Sequence, residues 1–508
     1  MSSRLGRLRA ALNAGWSLPH ILLAAAVLLI PTAVNGRPGM FFDTLDYLHS
    51  GEAAWRLLGV TLPGLDLTPP TEQARQQLQV MQGMASSRSA AYGGVVYPLW
   101  RLGGLWLVSA VQACAAAAIV YAFVRAACGR RERLAYGGVV AGLTLVSSLP
   151  FYCGFAMPDV SAGLAAVSLT TLAVYPGALP RAARRALFAI ATLALCMHTS
   201  NVLLAIALVA VAALVGGWLA RRPWGAVRSA AWTASAVALS LGLFVAYGAV
   251  VRQATGKPLG TPPPFLTARV LQDGPGREYL QWSCDHGGRW ALCAYRTRRL
   301  TSVDDILWSR DPHKGIYGAV SPAERQRLAA QDRAFAIAST LHDPLGQAAA
   351  SARNAALTRG ALGLREPLEG PFKYLRDGFW VHTAMPWIMP GAAKCDADIA
   401  ACRPRLGFTD MRVIDTTAMV AAVAFLLWRL TRRDVRAALR SPGRELTVEG
   451  RFVAAALLLV AVVLINATVC GVISGPYARY QARVAWVVPL AALTLWARLG
   501  WRAPWREA

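Results

Sequence analysis

An α-helix rises about 1.5 Å per residue, so about 20 mostly apolar residues are needed to cross a hydrocarbon layer about 30 Å thick. Runs of that kind recur from one end of this chain to the other: Trp16–Val34, Leu102–Val124, Leu134–Pro150, Val160–Tyr175, Asn201–Ala220, Ala230–Val251, Val413–Leu430, Phe452–Ser474 and Val484–Leu499. A polytopic membrane protein is the reading they impose. Composition agrees, since 55% hydrophobic and 16% charged residues are too apolar for soluble domains and exclude a disordered chain. One stretch is ambiguous. From Ala186 to Ala220 the chain is apolar except at Met197-His198-Thr199-Ser200-Asn201, which reads either as a turn between two crossings or as a polar spot on one.

Lys and Arg in short loops stay on the cytoplasmic side, and this bias decides the count. Splitting the chain at His198 gives ten crossings. With the N-terminus inside, Arg125–Arg133, Arg181–Arg185, Arg221–Arg228, Arg429–Arg451 and the tail from Arg498 then all face inward. The N-terminus and these stretches carry 23 basic and five acidic residues, which is +18 of the net +25. Nine crossings would turn the later Arg-rich loops outward. Most of the basicity therefore records orientation in a bacterial cytoplasmic membrane, with both termini inside, and argues for no nucleic acid. Arg4, Arg7 and Arg9 precede the first run as they would a signal peptide. Pro31 and the sequence Thr32-Ala33-Val34-Asn35 make a poor cleavage site, so an uncleaved anchor is expected.

The domain plan that follows is residues 1–34 as N-terminus and first helix, 35–101 as a first outer loop with an interfacial helix, 102–251 as helices two to seven, 252–412 as a large outer loop and 413–508 as the last three helices and the tail. Two outer loops of 67 and 161 residues are too long to be structureless connections and are expected to fold. In the larger, Ser321-Pro322-Ala323-Glu324 opens a helix that His342-Asp343-Pro344 closes, and a second helix is expected from Leu345 to near Gly360. Cys284 with Cys293, and Cys395 with Cys402, are expected as local disulfides in an oxidising compartment. A metal role for Cys284-Asp285-His286 fits no zinc spacing.

The middles of the spans hold almost nothing ionisable, only Gln112 and Asn466 being conspicuously polar, which disfavours an ion-coupled transporter. No internal repeat is visible, and no P-loop, G-x-S-x-G, H-E-x-x-H or C-x-x-C motif occurs. The polar exceptions gather at the outer ends: Asp43 and Asp46 after the first crossing, Asp159, His198–Asn201, and Tyr477–Arg483. Carboxylates can accept a proton and arginines can grip a phosphate bidentately. Each has a plainer reading. Asp43 and Asp46 would cap and solvate an interfacial helix whose Phe42, Leu45, Leu48 and Trp55 lie on lipid; Asp159 would open a helix; His198, Ser200 and Asn201 would be a satisfied turn; and Arg88 and Arg101 would snorkel. Arg479 and Arg483 run against the charge bias, which makes a lipid-phosphate role stronger for them.

Phe41-Phe42-Asp43-Thr44-Leu45-Asp46-Tyr47 resembles the start of the first periplasmic loop in GT-C glycosyltransferases, a superfamily that includes protein mannosyltransferases and lipid A aminoarabinose transferases. Ser87-Arg88-Ser89-Ala90-Ala91-Tyr92 with Tyr97-Pro98-Leu99-Trp100 resembles the end of that loop, and Asp159 is similar to a second acidic site found in many members. The resemblance covers about the first 220 residues through short motifs. It implies an all-α, GT-C-like membrane fold with two folded outer loops and an inverting transfer from a polyprenyl-phosphate-linked sugar to a cell-envelope glycan, lipid or protein. Asp43 or Asp46 would be the base, and Arg88, Tyr92, Asp159, His198, Asn201, Arg479 and Arg483 would bind substrate. A divalent metal near Asp43 and Asp159 stays open, because two carboxylates do not establish one. The chain departs from the best-known members in placing its large loop between the seventh and eighth crossings. The alternatives are a transporter or flippase of a lipid-linked glycan and a structural subunit whose outer loop binds a partner.

Overall fold

The computed structural model describes residues 17–67, 89–129, 132–220, 223–255, 262–309, 311–364, 406, 409–440 and 447–500. Among them the chain is all-α, with 81% helix and no strand. Six helices are long and apolar enough to cross a membrane: Ala90–Cys128, Thr199–Trp218, Val227–Ala254, Met411–Leu430, Val448–Ile473 and Ala478–Leu499. The apolar helices Leu18–Leu28, Arg133–Val146 and Val160–Val174 are shorter. This is the pattern of a multi-pass membrane protein.

The first run breaks at Leu29, ahead of Pro31, into α1 (Leu18–Leu28) and α2 (Ile30–Val34). Next, α3 (Phe42–Leu57) packs along the outer part of α4 (Ala90–Cys128), a helix that starts twelve residues before the expected crossing and kinks at Gly103 and Gly104. The helices approach so closely that a Cβ on Gly51 would lie 2.1 Å from the Gly93 carbonyl oxygen. Any side chain there would drive them apart.

That packing corrects one expectation. Leu45 and Leu48 are fully buried in the bundle core, so this helix is not an interfacial one with those leucines on lipid. The expected solvation of Asp43 and Asp46 fails with it, since they are only 7% and 9% exposed.

Helices α5 (Glu132–Val146), α6 (Leu149–Cys153) and α7 (Val160–Val174) follow. The ambiguous stretch is two helices, α8 (Arg181–Cys196) and α9 (Thr199–Ala220), separated at Met197-His198. After α10 (Pro223–Thr255) comes the segment that the sequence leads one to expect as the large outer region.

Residues 262–364 build their own core from Leu271, Leu280, Leu307, Ile316 and Phe335, distinct from the bundle core. Its helices are α11 (Phe265–Asp273), α12 (Pro275–Asp285), α13 (Val303–Trp308), α14 (Pro322–His342) and α15 (Pro344–Gly360). The Ser321 hydroxyl accepts from the Glu324 N–H, and Asp343 from the Gly346 N–H, so both expected helix starts are capped. Cys284 and Cys293 are joined by a disulfide. Half-buried Asp332 accepts from the backbone N–H groups of Thr267 and Leu266, holding the start of α11 against α14, and its desolvation raises its carboxyl above the usual range. The second expected bridge, Cys395 with Cys402, lies outside the described residues.

The chain returns through α16 (Thr409–Leu430), a short basic α17 (Arg433–Arg440), α18 (Val448–Ile473), α19 (Ala478–Ala485) and α20 (Val487–Gly500).

Candidate functional site

The site grows from the two polar residues that interrupt the apolar runs. Gln112, on α4, donates to the carbonyls of Cys153 (3.1 Å) and Phe155 (2.6 Å) and accepts from the Tyr92 hydroxyl (2.9 Å). A buried amide without partners would cost several kcal/mol in an apolar interior, and here it is used to fix the turn between α6 and α7. From the other side, Gly39 donates to the Gly154 carbonyl and accepts from the Ala156 N–H, while Thr44 donates to the Ala156 carbonyl. This fastened turn presents Asp159, 5% exposed, at the start of α7 without using it as a side-chain cap.

Asn466, on α18, does the same for the arginine helix. Its amide donates to the Tyr480 carbonyl (2.6 Å) and to Gln481 Oε1 (3.0 Å), and its oxygen accepts from Arg483 Nη2 (3.0 Å). Arg483 is 0% exposed and also donates to the hydroxyl of Ser200 (2.8 Å). Its Nη1 lies 3.7 Å from Asp159 Oδ1. A guanidinium in such a place needs this carboxylate and these neutral acceptors, because a lone buried charge is strongly disfavoured. His198 supports it from behind. The Ser200 N–H donates to His198 Nδ1 (3.2 Å), so that nitrogen is an acceptor and the Ser200 hydroxyl donates to it across 2.7 Å, leaving its oxygen lone pairs for Arg483.

Arg479, one turn earlier on α19, faces a narrow cleft lined by Phe41, Tyr152, Phe155, Met157, Asp159, Leu364 and Arg479 itself. Its guanidinium lies 4.5 Å from the Phe41 ring and 4.7 Å from the Tyr480 ring, and it donates to the Tyr480 hydroxyl (2.9 Å). The rings lie against the cation's flat guanidinium group. Asp159 and Asp43 both lie within electrostatic reach of it. Asp159 and an arginine set against two rings thus meet at one cleft, with Asp43 in electrostatic reach of the arginine; carboxylates can take a proton from a hydroxyl and a guanidinium can neutralise a phosphate.

The expected site residues divide accordingly. Asp43, Asp159, Arg479 and Arg483 come together, with His198 behind Arg483. Tyr92 and Asn201 have fastening roles: Tyr92 bonds Gln112, and the Asn201 amide donates to Ser161 Oγ (2.9 Å) and the Ala194 carbonyl (2.8 Å). Asp46 is buried one turn along α3 from Asp43. Arg88 lies outside the described residues. Arg101 donates to the carbonyls of Leu62 and Pro63, tying down the loop after α3. Among the described residues no group of three or more His, Cys, Asp or Glu side chains could hold a metal ion. The donor set does not fit the divalent metal left open by the sequence, and no step is assigned to one.

Three features escape sequence reasoning. Asp415 sits three residues into the expected eighth run, is buried, and accepts from the Ser148 hydroxyl and from the backbone of Leu364, a wall residue of the cleft. A carboxylate inside an apolar run was the available signal. Second, Phe41 and Tyr152 shape the cleft, the Tyr152 hydroxyl donating to the Arg479 carbonyl.

Third, the outer region grips the turn that leads into α19. Arg269 donates to the Ser474 carbonyl (3.0 Å) while paired with Asp273 (2.9 Å), which in turn accepts from Gln347 and Asn354. The Tyr477 hydroxyl donates to Asp304 (2.9 Å). Burial and the Asp304 carboxylate raise the Tyr477 phenol above its ordinary range, so it stays a donor. No family model, curated protein or solved structure matches this chain.

Proposed function

We propose that the protein is an inverting membrane glycosyltransferase of GT-C type. It crosses a bacterial cytoplasmic membrane ten times and moves a sugar from a polyprenyl-phosphate carrier to a cell-envelope acceptor at the outer face. The observation that carries this reading is the cleft itself, where Asp159 and Arg479 face each other with Asp43 in electrostatic reach. Asp43 takes the proton of the acceptor hydroxyl as its oxygen attacks the anomeric carbon from the face opposite the phosphate. The sugar–phosphate C–O bond breaks, its electron pair leaves on the polyprenyl phosphate, and Arg479 neutralises that charge. Arg483 already carries Asp159, Asn466 and Ser200, so its part is to hold Asp159 in place.

The test is incubation of the purified protein with radiolabelled polyprenyl-phosphate sugars and envelope acceptors. Consumption of labelled carrier by the wild type, and its loss in Asp43→Asn, is the expected result. If the wild type never consumes carrier while labelled lipid crosses liposomes, the transferase reading is lost to a flippase.

A further inference from the structure

The opposite end of the bundle carries a surface with a different chemistry. The span Met411–Leu430 ends at an aromatic pair, Phe425 stacked on Trp428 with ring centres 5.7 Å apart, and Trp428 is 50% exposed. An exposed tryptophan at the end of a span is where the headgroup level of a bilayer is expected.

Immediately beyond, Arg429 pairs with Asp434 and pins the first turn of α17 back onto the span. Val435 is buried, seating the same helix against the bundle. At 100° per residue, Arg433, Arg436 and Arg440 then fall within an arc of about 60° on another face, with Arg432 immediately ahead of the helix. All four are exposed, and the Arg432 guanidinium lies 5.5 Å from the centre of the Trp428 ring. Among the described residues, the nearby acids Asp434 and Glu449 are paired with Arg429 and Arg498, not with these four.

We propose that this face binds the phosphates of anionic phospholipids in the adjoining leaflet. Four guanidinium forks beside a tryptophan match the charge and the planar oxygens of a phosphodiester lying at the headgroup level. The inference is independent of the glycosyltransferase reading, since it concerns the other end of the molecule and needs no substrate.

Native mass spectrometry of the delipidated full-length protein, titrated with phosphatidylglycerol and phosphatidylcholine, tests it. The wild type is expected to bind phosphatidylglycerol about tenfold more tightly than phosphatidylcholine. A variant carrying Arg432→Gln, Arg433→Gln, Arg436→Gln and Arg440→Gln is expected to lose that preference. A variant carrying Arg181→Gln, Arg184→Gln and Arg185→Gln, on α8, is expected to keep it. Retention of the preference in the first variant, or equal loss in the second, overturns the proposal. So does displacement of the lipid by millimolar inorganic phosphate, which would mark a site for free anions. Should the fourfold variant not fold, the pairs Arg432→Gln/Arg433→Gln and Arg436→Gln/Arg440→Gln are each read by the same two outcomes.

Discussion

The arginines at the two ends of this molecule live under opposite rules. At the cleft end Arg483 is wholly buried and Arg269 is 2% exposed, each facing a carboxylate and neutral oxygens supplied by several helices. Across the bundle, Arg432, Arg433, Arg436 and Arg440 stand in the open on one short helix and the residue that precedes it. Even the less exposed arginines of that end, buried Arg429 and half-buried Arg498, are simple fasteners: each is paired with Glu449, and Arg429 also with Asp434. The same residue type therefore does two jobs. An exposed arginine keeps its hydration at little structural cost, whereas a buried one persists only where several elements converge to keep it charged.

The sharpest way to break that contrast is Arg483→Ala. It leaves Asp159 buried without its cation and removes the donor to Asn466 and Ser200. The expected loss is about 3–5 kcal/mol, read as a fall in the unfolding midpoint of detergent-purified protein. Asp159→Asn in the same background should recover part of it, because the uncompensated charge goes too. Additive losses would mean that the 3.7 Å pair is incidental.

Arg479→Lys comes next, and its effect should fall on activity more than on stability. The charge remains, but the flat guanidinium between Phe41 and Tyr480 is lost. A drop of at least about tenfold in carrier consumption is expected, with the midpoint moving by only a few degrees. An equally active lysine variant would show that Arg479 acts as a point charge and that the rings only fill space.

Much of the skeleton behind this contrast can be read from the sequence. Each apolar run is helical, the break falls at His198, Ser321 caps where the capping pattern says, a second helix runs on to Gly360, and Cys284 meets Cys293. Periodicity and caps are local, so one chain segment suffices to show them. The faces are harder. In a membrane chain, lipid and protein interior are equally apolar, so nothing in Leu45 and Leu48 says that they meet α4 and not the bilayer. The same limit hides what Gln112 and Asn466 do. A polar residue in an apolar run announces that it must be satisfied, but only the assembled helices show that one secures the Asp159 turn and the other the arginine helix. Asp415 was overlooked because it falls near the end of its run, where a carboxylate reads as an interface residue.

A smaller effect tests whether the outer region belongs to the buried set. Asp304→Asn and Tyr477→Phe each remove the contact that ties residue 477 to α13. Each should cost about 1 kcal/mol, the double variant no more than either single, and hydrogen exchange across 478–485 should quicken in all three. If the exchange of α19 is unchanged, the arginine helix is held by its other contacts, from Asn466, Tyr152 and Arg269, and the Tyr477–Asp304 bond adds nothing to them.

Arg436→Gln should have the smallest effect. Its side chain is exposed on α17, and the seat of that helix depends on Val435 and on the Arg429–Asp434 pair. A surface charge of this kind moves stability little, so the midpoint in neutral detergent should shift by under about 2 °C. Repeating the measurement with added phosphatidylglycerol turns the null into a comparison. The lipid should raise the wild-type midpoint more than the variant's, because only bound ligand stabilises the folded state. A large shift in detergent alone would mean that α17 uses its arginines as the cleft uses Arg483, and the distinction between the two ends would collapse.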